Sequence, residues 1–295
     1  MEKLLNKYPI TFDKKYIAKN IIDAQSSAED MFNTKYLKQA FSLIDLTSLN
    51  ATDSETKIKT LTNKVNDFQA RYNNIPNIAA ICVYPSLVKT VATYLKIKTI
   101  GLASVGAGFP SSQTFLDVKL LECKMAALSG ATDIDIVISI GSWLDGNYNK
   151  VYNEIREIKQ AIGNSHLKVI LETGSLTTIE QIWNASIIAM EAGAEFIKTS
   201  TGKTNISATP EATFVMCEAI KAYKKENNKE IGIKVAGGIS TSKDALLYLS
   251  IVKMILGDNW LNKKRMRIGA SRLANNIISD IVKLETGQTN TITYF

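Results

Sequence analysis

The stretch EFIKTSTGKTNISATPEATFVMCEAIKAYKKENNKEIGIKVAGGIS, residues 195–240, contains two strand-forming runs with a helix-forming segment between them. The runs EFIKTS (195–200) and IGIKVA (231–236) are short and mostly apolar, as buried strands are. The segment TPEATFVMCEAIKAYKKE (209–226) begins with threonine and proline, which are common at helix starts. This order predicts a strand–helix–strand unit with parallel strands.

The same alternation continues along most of the chain. We predict eight strands, at 41–46, 77–84, 98–105, 133–139, 167–173, 195–200, 231–236 and 265–270. Eight strand-then-helix units favour an α/β fold, a (β/α)8 TIM barrel, and a doubly wound open sheet is the alternative. We assign residues 1–38 to a helical N-terminal extension and residues 39–295 to the barrel with its C-terminal tail.

Composition excludes several classes of protein. The chain has 295 residues, of which 45% are hydrophobic, so it can bury a large core. It has no run of about 18 apolar residues and no apolar signal segment, which predicts a cytoplasmic protein without a membrane partner. Cys82, Cys123 and Cys217 lie far apart, so we predict neither a disulfide framework nor a structural zinc site.

The net charge of +7 raises the question of a nucleic-acid partner. The lysines are scattered and mixed with acidic residues, as in IKAYKKENNKE, and no nucleic-acid motif is present. We therefore predict no nucleic-acid partner. The same charge favours attraction of anionic small molecules such as sugar phosphates.

Two lysines occupy matching places in consecutive strands, Lys198 in FIKTS and Lys234 in GIKVAGG. Each alone could point outward or pair with a carboxylate. If both point inward on strands about 5 Å apart, their repulsion is about 3 kcal/mol at an effective dielectric of about 20. That lowers a lysine pKa by about two units, and burial lowers it further. Such an amine can form a Schiff base.

Carboxylates near the strand ends are the expected partners of these lysines. In DIDIVIS, strand alternation puts Asp133 and Asp135 on one face and the isoleucines on the other. Asp135 either balances the charge of Lys234 or also relays protons with it. Asp45 in LIDLTSLN is a turn-former, a helix cap or a substrate contact.

Three turns rich in glycine, serine or threonine follow late strands: STGKT (200–204), AGGIST (236–241) and IGASRL (268–273). In TIM barrels the loops after strands seven and eight often bind phosphate through backbone N–H groups and helix N-termini. Each motif could also be an ordinary tight turn. Together, and with Lys203 beside them, they predict a phosphate site.

Metal-ligand and nucleotide motifs are missing from the sequence. The only histidine, His166, precedes the fifth strand, at the end of the barrel opposite the predicted site. No cysteine pair, HExxH motif or GxGxxG motif is present, so we predict no metal and no organic cofactor. Amine chemistry is what the remaining residues favour.

The motifs LIDLTSLN, AAICVYP, DIDIVI, LKVILETG, EFIKTSTGK and GIKVAGGIS occur in the order typical of deoxyribose-phosphate aldolases. From about residue 40 onward the chain resembles that family. The resemblance implies a class I aldolase that joins acetaldehyde and D-glyceraldehyde 3-phosphate to 2-deoxy-D-ribose 5-phosphate, or the reverse. It implies a cofactor-free enzyme of deoxyribose phosphate catabolism, and a homodimer is the expected assembly.

The resemblance also implies roles for individual residues. Lys198 would form the Schiff base, Lys234 would lower its pKa, Asp135 would relay protons, and Tyr294 of the tail would assist proton transfer. The implied substrate contacts are Asp45, Thr47 and Cys82 at the sugar end and Thr201, Lys203, Gly237, Gly238 and Ser271 at the phosphate.

Two features depart from the family pattern. Arg272 follows GAS where the family often has a small residue or serine, and Phe295 follows the tail tyrosine. Two other functions stay open. One is a lysine-dependent barrel aldolase or transaldolase for another phosphorylated aldehyde, and the other is a non-catalytic sugar-phosphate-binding protein on this scaffold.

Overall fold

Eight parallel strands form a closed barrel in the computed structural model, which describes residues 1–295. Each strand pairs with its neighbours in chain order, and β8 pairs with β1. The strands are β1 Ile44–Thr47, β2 Ala80–Val83, β3 Gly101–Gly106, β4 Asp133–Val137, β5 His166–Ile170, β6 Phe196–Lys198, β7 Gly232–Ala236 and β8 Met266–Ala270. The predicted TIM barrel is confirmed.

Twelve helices surround or precede the barrel. They are α1 Glu2–Leu5, α2 Lys14–Asp30, α3 Thr34–Ser42, α4 Glu55–Arg71, α5 Val88–Tyr94, α6 Leu116–Leu128, α7 Ile140–Leu144, α8 Tyr148–Ala161, α9 Ile179–Glu191, α10 Pro210–Asn227, α11 Ser242–Leu256 and α12 Arg272–Thr286. Threonine side chains cap the N-termini of α9, α10 and α11. None of the twelve is both long enough and apolar enough to cross a bilayer.

The observed strands are shorter than the predicted ones, and the first shows why. We predicted β1 over residues 41–46, but Phe41 belongs to α3. Its ring is fully buried and stacks on Phe68 of α4, with centroids 5.0 Å apart. An apolar residue buried between helices gives the same local signal as one buried in a sheet, so the sequence did not separate the two.

The helices before β1 pack on the outside of the barrel. Asp13 caps α2, which lies against α10 and α11. Tyr8 lies in the segment between α1 and α2, where its carbonyl accepts a hydrogen bond from the Trp183 indole at 2.9 Å and its hydroxyl donates to Glu191. The N-terminal segment therefore adds its own buried residues to the core around α9 to α11.

Candidate active site

A cavity of about 730 Å³ opens at the C-terminal ends of the strands, where TIM barrels hold their active sites. Many residues that the sequence predicted for a site line it. They are Thr47, Lys198, Thr201, Lys203, Gly237, Gly238 and Ser271. Asp45, Cys82, Asp135, Lys234 and Tyr294 do not line the cavity.

The two predicted lysines face each other across neighbouring strands. Lys198 on β6 is in register with Lys234 on β7. Both amines contact the same oxygen, Oδ2 of Asp135, at 2.8 Å, so the two nitrogens are at most twice that distance apart. Lys234 also contacts Asp45 at 2.6 Å. The alternation of β4 predicted that Asp133 and Asp135 share one face, and that face is the barrel interior.

These contacts separate the two amines chemically. Burial, helped by the charge of Lys234, lowers the pKa of Lys198 despite the attraction of Asp135. Burial also opposes the charge on Lys234, but the carboxylates of Asp135 and Asp45 outweigh it and raise its pKa. Lys198 is therefore the amine that more easily becomes neutral, and it is the one that lines the cavity.

The shared carboxylate is fully buried. Burial opposes its ionisation, but Lys198 and Lys234 outweigh that effect and hold the pKa of Asp135 well below its usual range. Its second oxygen, Oδ1, has no hydrogen-bond partner. The nearest cation to this oxygen is the Lys168 amine, at 3.6 Å.

Two further cations in the barrel were not identified from the sequence. Lys168 on β5 is fully buried and forms an ion pair with Asp133, and its amine lies 3.6 Å from Asp135. Arg267 on β8 contacts Asp45 at 2.7 Å. Both face the same side of the sheet as the two lysines. Lys168 is two residues before Ile170, the register partner of Lys198, and Arg267 is the register partner of Lys234.

The barrel interior thus holds four basic side chains and three carboxylates that contact one another. With every group ionised, one positive charge is left over. A neutral Lys198 removes that excess, since Lys168, Lys234 and Arg267 then balance the three aspartates. Because unbalanced buried charge is costly, the composition of the cluster favours the neutral amine at Lys198.

Asp45 and Cys82 lie deeper than the cavity. Asp45 is fully buried, and although burial opposes its charge, Lys234 and Arg267 outweigh this and lower its pKa. Cys82 on β2 is fully buried too, and burial raises the pKa of its thiol. Asp45 contacts Lys234, whereas Cys82 packs with Ala103 and Val105 of β3, and neither lines the cavity.

The loop after β6 is held by a buried carboxylate. Glu172 accepts hydrogen bonds from the Thr201 hydroxyl at 2.6 Å and from the Thr201 backbone N–H at 3.1 Å. Glu172 itself has φ +53°, a left-handed conformation that is uncommon for a residue with a side chain. The Lys203 amine donates to the Leu49 carbonyl at 2.6 Å, which ties this loop to the loop after β1.

The loop after β7 approaches the loop after β6 closely, and glycines make this possible. The Cα of Gly237 lies 3.4 Å from the place where a Cβ on Gly202 would stand. A Cβ on Gly237 would lie 2.8 Å from the Ser200 hydroxyl, and the φ of Gly237 is +89°. Only glycine fits here, so the two loops can present backbone N–H groups to the cavity.

Helix α12 starts at the rim of the cavity. Ser271 precedes its first residue, Arg272, and makes no side-chain cap hydrogen bond. Both residues line the cavity. The N–H groups of an uncapped first turn and the helix dipole favour an anion at this position.

The C-terminal tail lies over α4 and α12. The hydroxyl of Tyr294 donates to the Lys64 carbonyl at 2.7 Å, and the Asn275 side chain accepts the backbone N–H groups of Tyr294 and Phe295 at 2.9 Å. Phe295 lines the cavity, whereas Tyr294 packs against Phe68. The structure therefore brings the last residue, not the tyrosine, to the cavity.

The arrangement is suited to amine chemistry. An amine with a lowered pKa faces a cavity beside a carboxylate and a second amine that stays charged. It can add to a carbonyl carbon, and an anion can bind at the loops opposite. No group of three or more His, Cys, Asp or Glu residues is placed to hold a metal ion.

Comparison with known proteins agrees with the fold and the motifs. The model of the DeoC/LacD family aldolases matches residues 39–259. Human deoxyribose-phosphate aldolase is 40% identical over 278 residues, 90% of this chain and 87% of the human protein. The bovine deoxyribose-phosphate aldolase is 38% identical, with the same two coverages.

Solved structures show the same architecture. The deoxyribose phosphate aldolase from Aeropyrum pernix, described as tetrameric, superposes with a TM-score of 0.65 at 24% identity, covering 91% of this chain and 98% of that one. At this identity the likeness supports the fold alone. The family model and the identity to the mammalian enzymes show more: the chain belongs to the DeoC/LacD family of aldolases.

Proposed function

We propose that the protein cleaves 2-deoxy-D-ribose 5-phosphate reversibly to acetaldehyde and D-glyceraldehyde 3-phosphate through a Schiff base on Lys198. The observation that carries the proposal is the amine of Lys198, which faces the cavity with a lowered pKa and shares Asp135 with the charged Lys234. The names of the human and bovine relatives support the choice of substrate. We further propose a cytoplasmic location and a role in deoxyribose phosphate catabolism.

Cleavage begins when the neutral Lys198 amine adds to C1 of the open-chain sugar and water leaves, giving an iminium ion. The proton of the C3 hydroxyl then passes through the Asp135 and Lys234 pair, and the C2–C3 bond breaks. Its electrons flow to the iminium nitrogen, releasing glyceraldehyde phosphate and an enamine on Lys198. Protonation of the enamine carbon and hydrolysis release acetaldehyde and restore the amine.

The phosphate group would bind between the loops after β6, β7 and β8. Gly237 and Gly238 offer backbone N–H groups, the first turn of α12 offers more, and Lys203 and Arg272 add positive charge. Lys198 lines the same cavity. The phosphate therefore orients the sugar with C1 toward Lys198.

Borohydride trapping tests the proposal. The protein is incubated with 2-deoxyribose 5-phosphate or with acetaldehyde, reduced, and examined by intact mass and peptide mapping. We expect one reduced adduct, on Lys198, and no adduct in Lys198→Met. Lys168 is the internal control, because it is equally buried in the same barrel but does not line the cavity.

Three results would count against the proposal. An adduct on Lys168, Lys203 or Lys234 instead of Lys198 would overturn the assignment of the nucleophile. Trapping with acetaldehyde but no release of glyceraldehyde 3-phosphate from deoxyribose 5-phosphate would keep the Schiff base and favour another phosphorylated aldehyde. No adduct with either compound on folded protein would favour the non-catalytic phosphate-binding alternative.

A further inference from the structure

The cavity that contains the site also extends over one face of α4. Thr60, Leu61 and Lys64 follow Lys57 by three, four and seven residues, so all four lie on the same side of the helix, and all four line the cavity. Other lining residues come from the start of α12 and from the C-terminal tail. We define the α4–α12 groove as this part of the cavity, lined by Lys57, Thr60, Leu61, Lys64, Arg272 and Phe295.

The tail gives the groove an apolar surface that is held in place. The Asn275 side chain accepts the backbone N–H of Phe295 at 2.9 Å, and the Phe295 ring stacks on Phe68 with centroids 5.4 Å apart. Leu61 adds a half-buried apolar side chain. An aromatic surface that is already ordered can receive a flat ring at a small cost in conformational entropy.

The charge of the cavity is entirely of one sign. Its lining includes five basic residues and no carboxylate; the basic residues are Lys57, Lys64, Lys198, Lys203 and Arg272. Lys57 is paired with Asp53, and the amine of Lys203 donates to the Leu49 carbonyl. Lys64 and Arg272 take part in none of the ion pairs of the structure, so both are available to an anion.

Deoxyribose 5-phosphate alone uses only part of this cavity. It would reach from Lys198 to the glycine-rich loops after β7 and β8, and it has no apolar group to place on Leu61 or Phe295. The volume of about 730 Å³ is in the range of pockets that enclose drug-sized ligands, about 300–1,000 Å³. The groove therefore suits a further group that is attached to the phosphate itself.

We propose that the enzyme also cleaves 5-phosphodiesters of 2-deoxyribose in which the second ester arm is a nucleotide lying in the α4–α12 groove. The diester phosphate binds at Ser271 and Arg272, the base stacks on Phe295, and the phosphate of the arm pairs with Lys64. This inference rests on the proposed function, because the reacting end of the sugar is the same.

The reaction balances without a further reactant. The Lys198 amine adds to C1 and water leaves, the C2–C3 bond breaks with its electrons passing to the iminium nitrogen, and the nucleotide ester of glyceraldehyde 3-phosphate departs. Protonation and hydrolysis of the enamine then release acetaldehyde. The phosphodiester bond stays intact. The reaction that supplies such a substrate is the hydrolytic loss of the last base of a short deoxyoligonucleotide, which frees both the C1 aldehyde and leaves the C3 hydroxyl unesterified.

A defined diester tests the proposal on the full chain. Acid depurination of thymidylyl-deoxyadenosine carrying a 5′-phosphate gives 5′-phosphothymidine joined through its 3′ oxygen to 2-deoxyribose 5-phosphate. Acetaldehyde release is measured for this diester and for deoxyribose 5-phosphate. We expect the wild-type kcat/KM for the diester to lie within about tenfold of that for the monoester, because the groove contacts offset the smaller charge of a diester phosphate.

Two variants of α4 should lower the ratio of diester to monoester kcat/KM by about tenfold each. Lys64→Ala removes the cation that pairs with the arm, and Thr60→Glu places a repelling carboxylate at an exposed position of the groove. Lys59→Ala is the matched control and should leave the ratio unchanged. Lys59 is an exposed lysine of the same helix, but it lies over the Tyr94 ring and does not line the cavity.

The outcomes separate this proposal from the proposed function. A wild type that cleaves deoxyribose 5-phosphate but not the diester would overturn the proposal and leave the proposed function standing. A ratio that neither Lys64→Ala nor Thr60→Glu changes, in variants with unchanged circular dichroism, would also overturn it. Failure to cleave either compound would overturn both.

Discussion

At the scale of single residues, Lys234 controls how easily Lys198 loses its proton. Lys234→Met removes a positive charge beside Lys198 and leaves Asp135 Oδ2 to Lys198, and both changes raise the pKa of Lys198. The neutral form then needs a higher pH. We expect the acid limb of the pH profile for iminium formation with acetaldehyde to move up by about one to two pH units.

The profile is measured by cyanoborohydride trapping over a wide pH range. Lys234→Arg keeps the charge and is the matched control, with an acid limb near that of the wild type. Because Lys234→Met leaves two buried carboxylates with one cation fewer, it also destabilises the fold, and its folded fraction must be measured at each pH. An unshifted acid limb in folded Lys234→Met would contradict the role of Lys234.

Arg272 lines the cavity next to Ser271. Arg272→Ser removes a cation from the proposed phosphate site. We expect KM for deoxyribose 5-phosphate to rise about tenfold, the effect of losing one charge-assisted hydrogen bond. Trapping with acetaldehyde, which has no phosphate, should be unchanged.

The control for Arg272 is Lys221→Ser, which removes an exposed cation on α10 far from the cavity. If both variants raise KM equally, the effect is one of overall charge and not of contact. High salt should reduce the KM effect of Arg272→Ser less than any KM effect of Lys221→Ser, because a direct contact is screened less than a distant charge.

Single residues also show what could be read from the sequence. Lys198 and Lys234 were identified by their matching places in consecutive strands, and Asp135 by its place in the fourth strand. Lys168 and Arg267 follow the same alternation, but their role depends on partners from β4 and β1. Only closure of the barrel brings those strands together, so the balance of four cations and three carboxylates could not be derived locally.

At the scale of elements, the loop after β6 depends on Glu172. Glu172→Ala leaves the buried N–H and hydroxyl of Thr201 without their acceptor, at a cost of about 1–3 kcal/mol. A loosened loop presents Lys203 and its N–H groups less well. We expect a higher KM for deoxyribose 5-phosphate with little change in acetaldehyde trapping, as steady-state and trapping assays will show.

Glu195→Ala is the matched control for Glu172. Glu195 is half-buried and likewise accepts a backbone N–H, that of Leu167 at 2.8 Å, but it lies just before β6, away from the cavity. The Glu195→Ala substitution should lower the melting temperature without changing KM. A Glu172→Ala enzyme with normal KM would show that the loop keeps its shape without the carboxylate.

The strands were predicted in number and order but not in extent. The helix caps Thr178, Thr209 and Thr241 mark starts that the sequence shows, whereas the strands end where pairing with a neighbour ends. The position of the C-terminal tail could not be predicted, for a different reason. Its position depends on Asn275 and on the aromatic cluster with Phe68, contacts that no local pattern encodes.

At the scale of the whole molecule, folding brings Asp45, Asp133 and Asp135 into the barrel interior among cations. Burial opposes their charge, but the neighbouring lysines and Arg267 outweigh it, so the pKa of each is lower in the folded chain than in the unfolded one. Their contribution to stability is therefore complete above about pH 4 and is lost as pH falls below it.

Asp133→Asn tests this origin of acid sensitivity. We expect the wild-type melting temperature to fall steeply as pH drops below about 4, because protonation must break the interior ion pairs. At neutral pH the variant should have a lower melting temperature, since Lys168 loses its nearest carboxylate. Its melting temperature should fall less than that of the wild type on acidification. Asp145→Asn, at an exposed carboxylate, is the control and should follow the wild type. Parallel acid profiles for wild type and Asp133→Asn would place the acid-sensitive groups outside the barrel.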